Sequence, residues 1–89
     1  MTLEELKRKK KLIIGFDYED PKQCLEAVKE DGWALQFVKE QTREICLEAV
    51  KQNGYALEYV KDQTKEICLE AVKQNGFALK YVKDLSMLV

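Results

Sequence analysis

This sequence has no histidine and only one proline among its 89 residues, and Ser86 is its one serine. Without histidine, the commonest general base and metal ligand is missing. Ser86 has no base in its own segment, so a serine nucleophile is excluded as well. No stretch approaches the roughly 18 to 20 consecutive apolar residues of a membrane-spanning helix. Nor is one charge in excess: 15 Lys and Arg face 16 Asp and Glu, for a formal net charge of -1. No overall field therefore draws the chain to nucleic acid or to an anionic membrane. The basic run Lys7-Arg8-Lys9-Lys10-Lys11 is followed by only Leu12, Ile13 and Ile14 before Gly15, too little for the apolar core of a secretory signal. The expectation is a soluble, cytoplasmic protein with no membrane partner.

What is present is self-similarity. Cys24-Leu25-Glu26-Ala27-Val28-Lys29 returns as Cys46 to Lys51 and again as Cys68 to Lys73, a period of 22 residues. Asp31-Gly32-Trp33-Ala34-Leu35 returns as Asn53-Gly54-Tyr55-Ala56-Leu57 and as Asn75-Gly76-Phe77-Ala78-Leu79. Thr42 and Thr64 stand where an N-cap hydroxyl accepts from orphan backbone N–H groups, and Asp20 followed by Pro21 does that work in the first unit. Ile45, Cys46, Ala49 and Val50 form an apolar stripe over a helix of about eleven residues, Arg43 to Asn53. A shorter helix, about Tyr55 to Lys61, follows, with Ala56, Leu57, Tyr59 and Val60 apolar. Gly54 and Gly76 are expected to end the first helix of each pair in the left-handed conformation. Neither helix is long enough to stand alone in water, so stacking must stabilise both.

The fold expected is therefore all-α: three stacked 22-residue helical hairpins over residues 20–41, 42–63 and 64–89, a short α-solenoid. Residues 1–19 are expected to form a capping helix and turn, with a helix over about Leu3 to Ile14 opened by Thr2 and Glu5 as a capping box.

The residues Glu44-Ile45, Leu47, Ala49-Val50, Asn53-Gly54, Ala56-Leu57 and Tyr59, repeated at Glu66 through Tyr81, resemble those of a bacterial helical-repeat family of unknown function. Asp31-Gly32 departs from its pattern, as do the compact connections at Gln41-Thr42 and Gln63-Thr64. The resemblance covers about residues 20 to 84. It implies stacked hairpins, no enzymatic activity and no cofactor. In size and helical style alone, the chain also resembles phage-encoded inhibitors of host defence, anti-CRISPR proteins among them.

Three features compete as sites. Lys7, Arg8, Lys9, Lys10 and Lys11 would contact phosphates in a salt-sensitive way. On a helix, however, these charges spread around the circumference, and nucleic acid is the less favoured partner. Trp33, Tyr55 and Phe77 form a file just after the glycines, open to packing or to a protein partner. Leu85, Met87 and Leu88 turn apolar the slots that hold Gln63, Lys65 and Glu66 one repeat earlier, and Ser86 takes the N-cap slot of Thr64. A solenoid end of that kind marks an interface, so a homodimer through the C-terminal repeat is expected, the alternative being a tail that folds back and caps its own repeat. Cys24, Cys46 and Cys68 lie one repeat apart, too far for a disulfide or a shared zinc ion, and read as small buried hydrophobes. Asp17, Glu19 and Asp20 lack the spacing of a calcium loop. The function expected is non-catalytic protein binding, with no cofactor and no metal. Inhibition of a bacterial nuclease is the alternative, and weak nucleic-acid binding through Lys7 to Lys11 a further one.

Overall fold

A computed structural model describes residues 20–88. The expected N-terminal helix with Lys7 to Lys11, and Val89 at the other end, lie outside the described residues.

Each unit begins with an α-helix whose start is capped by the side chain just before it. Asp20 Oδ1 accepts from the Lys22 N–H at 2.9 Å, with Pro21 at the first position of α1 (Pro21–Glu30). Thr42 Oγ1 accepts from the Ile45 N–H at 3.2 Å to open α2 (Arg43–Gln52). Thr64 does the same for Ile67 at 3.2 Å and opens α3 (Lys65–Gln74). The hydroxyl and carboxylate caps were therefore legible as N-caps.

The second half of each unit departs from expectation. In place of a short α-helix the chain forms six-residue 3-10 helices, Gly32–Phe37, Gly54–Tyr59 and Gly76–Tyr81. The cause is the residue before the glycine. Asn53 leaves α2 with extended backbone, φ -152° and ψ 111°. Its Oδ1 accepts from the Tyr55 N–H at 3.0 Å and its carbonyl from the Ala56 N–H at 2.9 Å. That side-chain turn sets an i to i+3 pattern from the first residue, and the next linker arrives before an α-helical turn is established.

The same backbone corrects the role of the glycines. Among the described residues, none of Gly32, Gly54 and Gly76 adopts the left-handed conformation expected of a helix-ending glycine. Gly32 and Gly54 are required by close approach instead. A Cβ on Gly32 would lie 2.5 Å from the Ala49 carbonyl oxygen, and one on Gly54 would lie 2.5 Å from that of Ala71. Each glycine is pressed against the backbone of the next unit's α-helix. Gly76 has no such neighbour within 4 Å.

The helices stack in sequence, α1 on α2 and α2 on α3, and each of the first two 3-10 helices is covered by the α-helix that follows it. Between them lies one core that repeats: Val28, Leu35 and Val38, then Ile45, Val50, Leu57 and Val60, then Ile67 and Ala71. Cys24, Cys46 and Cys68 are free and buried within it. Among the described residues no helix is long and apolar enough to cross a membrane.

At the C-terminal end, Asp84 rather than Ser86 is the capping residue. Its Oδ1 accepts from the Ser86 N–H at 3.0 Å and from the Ser86 hydroxyl at 2.6 Å. Residues Leu85–Leu88 form a 3-10 turn, not the start of a fourth α-helix, and it folds back on α3. Those two hydrogen bonds hold the Asp84 carboxyl below its ordinary range.

Gly54→Ala is expected to lower stability by about 1–3 kcal/mol, the cost of forcing an overpacked backbone contact apart. In a chain this short each kcal/mol moves Tm by roughly 4–8 °C. Gly76→Ala, with open space around its Cβ, should leave Tm unchanged or slightly raised. Thermal unfolding followed by circular dichroism separates the two. Equal losses would refute the close-approach account.

Candidate interaction surface

Two files of glutamine hold the units together. Gln52 Oε1 accepts from the Gly32 N–H at 2.6 Å, and its amide nitrogen reaches the Glu30 carbonyl at 3.4 Å. Gln74 Oε1 accepts from the Gly54 N–H at 2.5 Å. Each of these amides therefore docks on the turn of the preceding unit, beside the glycine that admits the helix backbone. Gln41 and Gln63 work in the linkers. Gln41 donates to the Tyr59 carbonyl at 2.8 Å and accepts from the Lys61 N–H at 2.9 Å. Gln63 donates to the Tyr81 carbonyl at 2.9 Å and accepts from the Lys83 N–H at 2.9 Å. One amide thus satisfies a donor and an acceptor of the next linker at once. Sequence reasoning missed all four residues. The signal was there, as glutamines recurring at the repeat period with no role assigned.

The second joint carries an added ion pair. Arg43 meets Glu66 in bidentate fashion, Nε to Oε1 at 2.6 Å and Nη2 to Oε2 at 2.7 Å. Both side chains are largely exposed, so its net contribution is small. At the first joint the equivalent slots hold Pro21 and Glu44. Within the third unit's α-helix, Glu70 pairs with Lys73 at 3.8 Å, three residues along.

The aromatic file divides. Trp33 stacks on Tyr55 with ring centres 6.5 Å apart and meets Tyr59 edge-on at 5.7 Å. Tyr55 meets Tyr81 edge-on at 6.1 Å, with the Lys80 ammonium 5.7 Å from the Tyr55 ring centre. These two rings are half-buried and serve as packing between units. Phe77 is 75% exposed.

Phe77 belongs to a wider pattern. Leu35 and Leu57 are fully buried, whereas Leu79, one repeat on, is 46% exposed. Gly32 and Gly54 are buried and Gly76 is exposed. Leu47 is buried and Leu69 is exposed. At the glycine and at the Leu79 position the third unit thus turns outward what the first two bury. Of the three tail residues expected at an interface, Leu85 is 58% exposed, while Met87 and Leu88 are half-buried against the core. The tail covers part of its own repeat, and an open groove remains along Gly76, Phe77, Leu79, Lys80 and Leu85.

The cysteines are engaged in packing. The Cys46 thiol points to Gln41 Oε1 at 3.7 Å and that of Cys68 to Gln63 Oε1 at 3.6 Å. Burial first, and then the nearby Asp62 carboxylate, push the Cys46 thiol up to about 11. Burial raises Cys68 too. Both shifts run opposite to what a nucleophilic or metal-binding thiolate needs. Among the described residues no group of His, Cys, Asp or Glu is placed to hold a metal ion.

A family model described as a domain of unknown function (DUF4116) matches residues 20–65 and again residues 42–85. The two matches start 22 residues apart (42 minus 20), the period of the repeat. No match is found among curated proteins or among solved structures.

Two outcomes follow from the joints and the thiols. Gln63→Leu leaves the Tyr81 carbonyl and the Lys83 N–H without their partner and should cost about 1–3 kcal/mol, read as a lower urea midpoint with an unchanged slope. A midpoint within error of the parent's would show that the linker amide contributes nothing. Because the folded Cys46 thiol holds its proton to higher pH than the unfolded one, this thiol's contribution should be level below pH 9, and stability should fall as pH rises from 9 toward 11. Cys46→Ala should flatten that fall. A parent stability curve that rises across this window would contradict the thiol's raised pKa.

Proposed function

We infer, starting from the fact that the chain belongs to the family described as a domain of unknown function (DUF4116), that it is a non-catalytic protein-binding module. The observation that carries the reading is the outward face of the third repeat. Phe77, Leu79 and Leu85 line its groove and are exposed, and Leu57, the counterpart of Leu79 in the second repeat, is buried. Solenoid ends are normally polar. Apolar side chains gathered beside a groove, rather than scattered singly, are what an interface presents. The reading also draws on Cys46 and Cys68, whose thiols burial pushes away from the thiolate form, and on a backbone fixed at every joint, which offers a partner an ordered surface at little entropic cost.

Phe77 and Leu79 are exposed, so replacing both with serine leaves the stack intact. The parent and the Phe77→Ser/Leu79→Ser variant, each immobilised, are compared for what they retain from a bacterial lysate, with circular dichroism to verify equal folding. The expected result is at least one protein retained by the parent and lost with the variant. Identical retention on both would remove this face from consideration, and an activity that purifies with the parent alone would end the non-catalytic reading.

A further inference from the structure

We propose that the groove on the third repeat receives a helical hairpin of the repeat's own kind, presented by another protein. The inference rests on the protein-binding reading and names what is bound. Its warrant is continuity with the two joints inside the chain. At both joints the same face is already occupied, and the occupant is the same: an α-helix ending in Ala-x-x-Gln-Asn, whose alanine carbonyl lies against the glycine and whose glutamine accepts the glycine N–H. The third unit repeats every element of that receiving surface. Gly76 supplies the backbone approach that any Cβ would block, and its N–H is where Gln52 and Gln74 bond in the units before. Leu79 supplies the apolar floor and Phe77 the ring that Tyr55 and Tyr59 cover on Trp33.

Two observations decide where that hairpin comes from. The first concerns a hairpin directly following in the same chain. Gln41 and Gln63 tie each linker to the next through paired hydrogen bonds. The equivalent slot after the third repeat is Leu85, which can make neither bond. The tail from Leu85 to Leu88 has instead turned back on α3, taking the place where a following α-helix would begin. What it leaves open is the part of the face that receives the end of a helix. The second concerns another copy of this chain. Its α2 and α3 are already spent on internal joints. Its α1 carries Gln23 where α2 and α3 carry the buried Ile45 and Ile67, and Glu30 where they carry Gln52 and Gln74. A polar residue is then set where the joint needs an apolar one, and no described surface of a second copy matches. A separate protein bearing the hairpin fits on both counts.

The test uses the full chain, labelled with nitrogen-15 in reducing buffer, and the segment 63–84 as the probe. That segment carries Gln74 and, through Gln63, the clamp that closes its own hairpin. It is supplied first as a free peptide, then appended after Val89 through a flexible Gly/Ser linker, which raises its effective concentration to the millimolar range. Docking is expected to shift the Gly76 amide resonance and to slow its hydrogen exchange roughly tenfold or more. Two single changes should abolish the effect: Gln74→Ala in the probe, and Gly76→Ala in the receiving repeat, read there on the Phe77 and Leu79 amides. A free peptide that fails while the tethered hairpin docks still supports the inference, since the peptide must order itself in order to bind.

Three results would overturn it: Gly76, Phe77 and Leu79 unmoved by the tethered hairpin; shifts that persist unchanged in both single variants, as a non-specific apolar contact gives; or the same shifts appearing with concentration in the chain alone, which would make a second copy the occupant. Failure here alongside partner capture that depends on Phe77 and Leu79 leaves the protein-binding reading standing and removes only the hairpin as ligand.

Discussion

The architecture depends on one contact, in which an α-helix backbone is set directly against a glycine of the unit before it. At Gly32 and Gly54 the carbonyl oxygens of Ala49 and Ala71 come so near that no side chain fits between. Everything else at the joint follows from that nearness. The glycine N–H is brought within reach of the glutamine one turn along the same helix, and Leu35 and Leu57 are sealed from water. Fully burying a leucine contributes roughly 1.5–3 kcal/mol, so the close approach is where much of each unit's stabilisation is realised.

The period, the capped α-helices and the buried stripe were legible because they rest on local rules: a hydroxyl before a helix, apolar positions on one face, a repeat read off directly. Two readings failed because their causes are not local. A glycine after a helix usually signals a left-handed turn, and sequence alone gives no means of seeing that Gly54 is required by a helix seventeen residues further on (71 minus 54). The apolar spacing of Ala56, Leu57, Tyr59 and Val60 suits an α-helix and a 3-10 helix alike. It is the Asn53 side chain, bonded to the Tyr55 N–H, that selects the tighter form. Of the site, Phe77 and Leu85 were legible as candidates. Gly76, Leu79 and the glutamine clamps were not, since their meaning appears only when one repeat is compared with the next in space.

The joints are not equivalent, and their differences sit at the ends. Glu30 and Gln23 mark the first unit, and Leu85 marks the last. The second joint has the Arg43–Glu66 pair that the first lacks. In a structure where each unit packs on its neighbours, such differences make stability local to each joint.

A joint assembled from backbone atoms and a recurring amide places few demands on the side chains that face water. Position 36 in the first unit is Gln, its counterpart 58 is Glu and its counterpart 80 is Lys. A neutral, an acidic and a basic residue therefore occupy the same position on three successive rungs. The frame acts as a ruler whose marks can be relabelled: the glycine, alanine carbonyl and glutamine that join the rungs stand at other positions, and at Lys80 the label also meets the Tyr55 ring of the unit before.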